Sequence, residues 1–387
     1  MSKESDEALV ARQDAPATAG APVEDERRYI AGQWKLMWWR FRRHKAAIAS
    51  AIVVALFYLV AVFADTLSSA DPGKSDEQFP TVPPQRLRFI DDGALRLHVY
   101  DLVGTRDLKT FRKVYEPDPD TRLRVRLIGD GYEYKLFGLF RVNKHLLVVE
   151  GHERRTAPFV LGTDEQGRDI FSRILHGTRL SLSIGLIGVV ISLVLGILIG
   201  GASGYYGGKV DTAIQRLIEL LRSIPTIPLW IGLAAALPRE FTVQQRYLAI
   251  TILLSLYAWT EIARVVRGRF LAMREEDFIA AARLSGSRDL TIIVRHMVPN
   301  FASHLIAAAS LAIPFMIVSE TSLSFLGLGL QAPAISWGVL LKAASNARTV
   351  ASLPWLMLPA IPVIISVLAF NFMGDGLRDA ADPYDRK

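Results

Sequence analysis

Residues 181–208 read SLSIGLIGVVISLVLGILIGGASGYYGG, a run with no formal charge. At about 1.5 Å per helical residue it is long enough to cross ~30 Å of hydrocarbon. The chain is therefore read first as a membrane protein, and its composition agrees. It has 387 residues, 51% of them hydrophobic, with a mean hydropathy of +0.26 and a net charge of +7, values a soluble two-domain protein rarely combines. In such a chain basic residues set topology more often than they bind nucleic acid, so no nucleic-acid partner is expected. There are no cysteines, which excludes disulfides and thiolate metal sites.

Within the run, Gly196 and Gly200 lie one helical turn apart and permit close helix packing. Just beyond it, SGYYGGKVD (203–211) superficially resembles a phosphate loop. Ser203 stands where the first glycine is needed, Val210 replaces the magnesium-holding Ser or Thr, and a membrane span precedes it rather than a strand. The segment is read as a tight turn, and ATP binding by this chain is not expected. Ahead of the run, LGTDEQGRDIFSRILHGTRLSL (161–182) predicts an amphipathic helix at the outer surface. Thr163 and Gln166 fit a capping box, with Ile170, Phe171, Ile174 and Leu175 along one face. It is either a lead-in to the span or a partner contact.

Working outward, a first span is predicted at 46–64 and five more at about 181–204, 213–237, 246–266, 301–320 and 351–374. The third and fourth are short by charge-free length, so Glu219, Arg222, Glu261 and Arg264 in their flanking turns should face protein or an interface. Residues 1–45 read as a tail and tryptophan-bearing interfacial anchor, and 65–160 as a charged, strand-rich insert with turn signals at DDG (91–93) and GDG (129–131). Residues 161–387 form the five-span core, with a loop at 267–300. Arg40, Arg42, Arg43 and Lys45 precede the first span, and there are seven arginines from Arg264 to Arg295 inclusive. Both segments are assigned to the cytoplasm, which places both termini inside and the insert outside.

No catalytic constellation stands out. The seven histidines are scattered without metal-ligand spacing, so neither a metal nor a bound cofactor is expected. Glu320 is the one formal charge between Arg295 and Lys342. An ionisable group at that depth suggests a pathway or outer gate; the alternative is a helix cap at the outer interface. DFIAAARLSGSRDL (277–290) is too short to span. Acidic residues stand at its start, Gly286 can close it in a left-handed conformation, and Ser287 can cap a following helix towards Pro299. From physics alone a solvated surface helix explains it slightly better than a docking element.

These residues resemble a known family, the inner-membrane permease subunits of ABC importers, in particular the oligopeptide/dipeptide/nickel class. The loop signature EAA-x3-G-x9-I-x-LP of that family is matched in spacing by AAARLSGSRDLTIIVRHMVPN, from Ala280 through Gly286 to Pro299 and Asn300, with Ala280 in place of the leading glutamate. The segments at 161–182, 320–341 (ETSLSFLGLGLQAPAISWGVLL) and 374–383 (GDGLRDAADP) look like the same subfamily in the same order.

The resemblance implies an all-α type I importer permease with six transmembrane helices and a small β-rich extracytoplasmic insert, in a bacterial-type inner membrane. It implies a non-enzymatic subunit that passes a peptide or peptide-like solute by alternating access. Its partners would be a second permease, two ATPases that hold ATP and magnesium, and an extracytoplasmic solute-binding protein. It makes Phe278, Ile279, Ala280, Ala281, Ala282, Gly286, His296 and Pro299 the ATPase-coupling residues. Oligosaccharides, opines or metal chelates are alternative cargoes. A self-contained secondary transporter or channel is a different class that leaves the loop motif unexplained.

Overall fold

The computed structural model describes residues 33–381 apart from 92–93, 107, 109–112, 152–156 and 239. Residues 1–32 of the tail and anchor expected at 1–45, positions 92–93 of the turn expected at 91–93, and residues 382–387 lie outside the described residues.

A short helix α1 (Gln33–Phe41) leads into α2 (Lys45–Val62), capped by the His44 ring, which accepts from the Ala47 amide at 3.1 Å. A single turn, α3 (Ala64–Leu67), then opens the insert. Its sheet is an antiparallel meander: β1 (Arg88–Asp91), β2 (Ala94–Arg106), β3 (Lys113–Leu136) and β4 (Phe140–Val149), in that spatial order. β3 serves two neighbours, pairing with β2 through Arg124 and with β4 from Val125 onward. Val99, Leu123, Val125, Leu147 and Val149 bury its apolar face.

The GDG expected to turn is instead inside β3. A Cβ on Gly129 would stand 2.8 Å from Val148, and one on Gly131 would strike the His145 ring. His145 is stacked 4.2 Å from Tyr132 and 5.2 Å from Tyr134. Gly131 makes room for the cross-strand aromatic cluster and Gly129 for Val148, and the reversal falls later, at 137–139.

The core begins with α4 (Ile170–Tyr206), continues through α5 (Gly208–Ser223), α6 (Thr226–Ala235) and α7 (Val243–Met273), then α8 (Asp277–Leu284) and α9 (Ala302–Phe325). It closes with α10 (Trp337–Lys342), α11 (Ala347–Ser352) and α12 (Ala360–Ala381). Counting α2, five of the described helical stretches are long and apolar enough to cross a membrane, the others being α4, α7, α9 and the stretch ending in α12, and α5 with α6 makes a sixth candidate bent by 86°.

Packing decides how that bent pair counts. Gly188 of α4 faces Ser255 of α7, Gly196 faces Ile262 and Gly204 faces Phe270, so the numbers climb together and the two helices run parallel. The chain must therefore return from the end of α4 to the start of α7, and α5 with α6 makes that crossing. Counted so, the described residues hold six candidate crossings. α9 runs the other way against α4, with Gly185 meeting Ile317 and Ser181 meeting Glu320. Contacts of Gly376 with Ala47, and of Tyr58 with Phe370, set α12 antiparallel to α2. One end of the bundle thus carries the start of α2, the ends of α4, α7 and α12, and α8. The opposite end carries the insert and the segment 326–353.

Candidate functional site

At the end of the bundle away from the insert, α8 lies on an apolar seat. Ile279 and Ala282 are buried among Val266, Phe270, Met273, Ile292 and Met297, while Ala280, Ala281 and Arg283 face outward. The helix ends in a Schellman closure: the Ser287 amide donates to Ala282 O (3.1 Å), the Gly286 amide to Arg283 O (3.0 Å), and Gly286 sits at φ 74°. The expected cap by Ser287 is absent. The next helical piece begins with Arg288 in the cap position and no side-chain bond, while the Ser287 hydroxyl lies 3.5 Å from that of Ser285. From Ile292 to Met297 the backbone widens into a π-turn, which carries His296, half-buried, towards the exposed Pro299. Such wide turns are rare and concentrate at functional sites.

The expected coupling residues therefore gather in one place with divided roles. Ile279 and Ala282 fasten the helix, Gly286 stops it, and Ala280 and Ala281 with half-buried Phe278 form the low outer surface. Three exposed apolar side chains extend that surface and were not singled out by sequence: Leu284 (90% exposed), Leu290 and Val294. A strut to α4 was also missed. The Tyr205 hydroxyl donates to Asp289 (2.7 Å), and the Arg283 guanidinium lies 5.1 Å from the centre of the same ring. Nothing local in the sequence marks Tyr205 as their partner.

The turn after α4 is tied to the end of α7. Gly207 and Gly208 take positive φ, and Asp211 accepts both arms of Arg267 at 2.5 and 2.6 Å as well as the Ser203 hydroxyl at 2.5 Å. A two-pronged pair of this kind fixes orientation as well as distance. Arg222 of α5 also bonds Glu261 of α7, so those two charges meet each other, as the membrane-depth argument requires.

At the insert end, Glu320 is fully buried within α9, one turn before the helix ends, and is not a cap. Its carboxylate accepts from Ser324 and Ser336 at 2.8 Å each, and from Ser181 of α4 at 3.4 Å. Ser181 in turn accepts the Trp337 amide at 3.1 Å, so one carboxylate joins α4, α9 and the start of α10.

The 161–182 segment also differs from expectation. Thr163 and Gln166 form no capping box; the cap is Asp169, which accepts from the Ser172 amide at 2.8 Å. Asp164 draws the preceding residues into a tight loop, accepting from the amides of Gln166 and Arg168 and from Arg168 Nε. Thr163 is spent on the insert's linker, donating to Phe79 O at 2.7 Å and accepting from the Val82 amide at 2.8 Å. Burial pushes the Asp169 carboxyl up, against bonds from Ser172 and Ser69 that pull it down. Beside it, Asp65 lies 2.9 Å from His176 and 2.8 Å from Arg179. Burial alone would raise this carboxyl, yet those partners prevail and hold it down at about 2.

The described residues thus form a bundle of long apolar helices with the short helix α8 at one end and a separate sheet subdomain at the other. Residues 192–384 match the family model "Binding-protein-dependent transport system inner membrane component", and residues 32–84 match "N-terminal TM domain of oligopeptide transport permease C". The chain is 42% identical to the oligopeptide transport system permease protein OppC of Escherichia coli (strain K12), over 58% of this chain and 72% of that one. It is 36% identical to the dipeptide transport system permease protein DppC of Bacillus subtilis (58% and 69%), and 38% identical to the glutathione transport system permease protein GsiD of Pectobacterium atrosepticum (58% and 72%). The chain belongs to this family of ABC-importer permease subunits, and membership implies partner ATPases.

Proposed function

We propose that the chain passes peptides or peptide-like solutes into the cytoplasm as one of two permease subunits, driven by two ATPases and fed by an extracytoplasmic solute-binding protein. The relatives named for oligopeptide, dipeptide and glutathione transport support the cargo class. The observation that carries the mechanism is α8, a short helix seated on Ile279 and Ala282 with an uncovered apolar rim at Leu284, Leu290 and Val294. Its seat is built from α7 and the 292–305 segment, and Tyr205 links it to α4, so a push on α8 is a push on three spanning elements.

The basic residues support a cytoplasmic α8 end, since Arg40, Arg42, Arg43 and Lys45 lie with the arginine-rich 264–295 segment at one end; on this reading the chain sits in an inner membrane with both termini inside. Closure of the ATPase pair around ATP moves α8, and the spans exchange between inward-open and outward-open arrangements. The bias comes from the partners' different affinities for the two states, and the permease supplies no catalytic group. At the outer end Glu320 is the closing contact of the gate, since separating α4 from α9 and α10 breaks its bonds to Ser181 and Ser336.

Reconstitution of the subunits in liposomes tests this reading. Uptake of labelled peptide should require ATP, both ATPases and the loaded binding protein. Uptake by this chain alone down a solute or ion gradient would replace the importer with a secondary transporter.

A further inference from the structure

The face of α2 turned away from the bundle carries Ile52, Leu56, Leu59 and Phe63, each exposed and spaced at helical intervals, so it is the face that lipid wets. The stripe does not stop with the helix. The Phe63 ring lies 6.2 Å from that of Phe137, edge to face. Phe137 opens the turn between β3 and β4, where Leu139 (77% exposed) and Phe140 (64%) also stand uncovered. Two hydroxyl pairs hold this hairpin to the chain just beyond α2: Thr66 with Tyr134 at 2.7 Å, and Ser68 with Tyr132 at 2.8 Å.

The turn itself is unusual. Two consecutive left-handed positions are most easily filled by Asn-Gly, yet Phe137 takes φ 53° and Gly138 φ 73°. A bulky ring is kept where the backbone disfavours one, at a site where water rewards no ring. Behind the tip, Lys135 and Arg141 face each other across the ladder with both side chains exposed, a placement that suits anionic phosphates flanking an apolar wedge.

We infer that the β3–β4 hairpin tip is a membrane-interface anchor: Phe137, Leu139 and Phe140 enter the headgroup–acyl boundary of the leaflet on the insert's side, and Lys135 and Arg141 meet its phosphates. The insert is then held by protein contacts, at Thr66 and Ser68 and through its linker at Thr163, and by the bilayer at the tip. That fixes its tilt over the bundle.

The chain has no native cysteine, so Leu139→Cys offers a single thiol for a nitroxide label. The assembled importer, with cysteine-free partners, is placed in nanodiscs containing phosphatidylglycerol, and relaxation by oxygen is compared with relaxation by a water-soluble nickel chelate. Oxygen should dominate at 139 and report a depth of roughly 5–10 Å within the headgroup–acyl boundary. Nickel should dominate for a label at Leu95→Cys, which is 88% exposed on the β1–β2 hairpin. Nickel dominance at both positions would overturn the anchor. Shielding of position 139 from both reagents would overturn it equally, because a protein partner would then cover the tip.

Discussion

Asp65 shows what a single charge does at the seam between insert and core. Its carboxylate bonds His176 and Arg179, and Arg179 also donates to Ala61 O, so one side chain fixes the exit from α2 against α4. Its folded pKa lies below the unfolded value of about 3.9. The stability it adds is therefore fully present above about pH 4 and is lost as pH falls towards 2. Asp65→Asn should accordingly melt below the wild-type chain in detergent at pH 7, and that gap should close between about pH 4 and pH 2. A gap independent of pH would remove the ion pair as its cause.

Glu320 is the other decisive residue. The sequence singled it out as a lone charge and left gate and cap as alternatives; it stands inside the helix and bonds three serines that no motif could have paired with it. Glu320→Gln should cost about 1–3 kcal/mol of stability, the usual range when buried polar groups are left unmatched, because Gln replaces one accepting oxygen with an NH2 donor among three serine donors. It should also lower peptide uptake at normal membrane abundance. Unchanged uptake at that abundance would take Glu320 out of the gate.

Among the elements, the α4–α7 contact orders the bundle. Parallel packing this close is possible because α4 presents Gly196, Gly200 and Gly204 to α7: a Cβ on Gly196 would stand 2.6 Å from Ile262, and one on Gly200 would enter the Ala263 backbone. Gly200→Ala should destabilise the chain by about 1–3 kcal/mol, the usual cost of overpacking. Gly268→Ala in α7 meets nothing within 4 Å and should be neutral or stabilising. Thermal melting of both variants checks the contrast, and equal melting temperatures would contradict it.

The sequence exposed part of this element scale and hid the rest. Gly196 and Gly200 announced close packing by their spacing, and the left-handed stop at Gly286 was legible because only that residue type reaches φ 74° without strain. The glycines of GDG misled, since a glycine needed for cross-strand clearance looks the same as one needed for a turn. The capping box at Thr163 misled for a related reason. Its side chain fits a local rule, but linker residues remote in sequence, Phe79 and Val82, claim it first.

At the scale of the whole molecule, periodicity and composition sufficed for the membrane class and for the strand-rich insert. They could not show that the third crossing is a bent pair, because α5 is amphipathic and α6 is too short to span alone. The parallel run of α4 and α7 supplies that answer, and it also collects α8, both described chain ends and the arginines at one end of the bundle. On the proposed function, α8 is where an ATPase delivers the force that the bundle carries towards the insert end.

Crosslinking from Leu284→Cys tests it directly. This would be the sole thiol of a cysteine-free assembled importer, carrying a maleimide photo-crosslinker. Illumination should yield an adduct with an ATPase subunit whose yield changes when ATP is bound, while the same probe at Leu95→Cys yields none. No ATPase adduct from position 284 in a complex that still hydrolyses ATP would contradict the account.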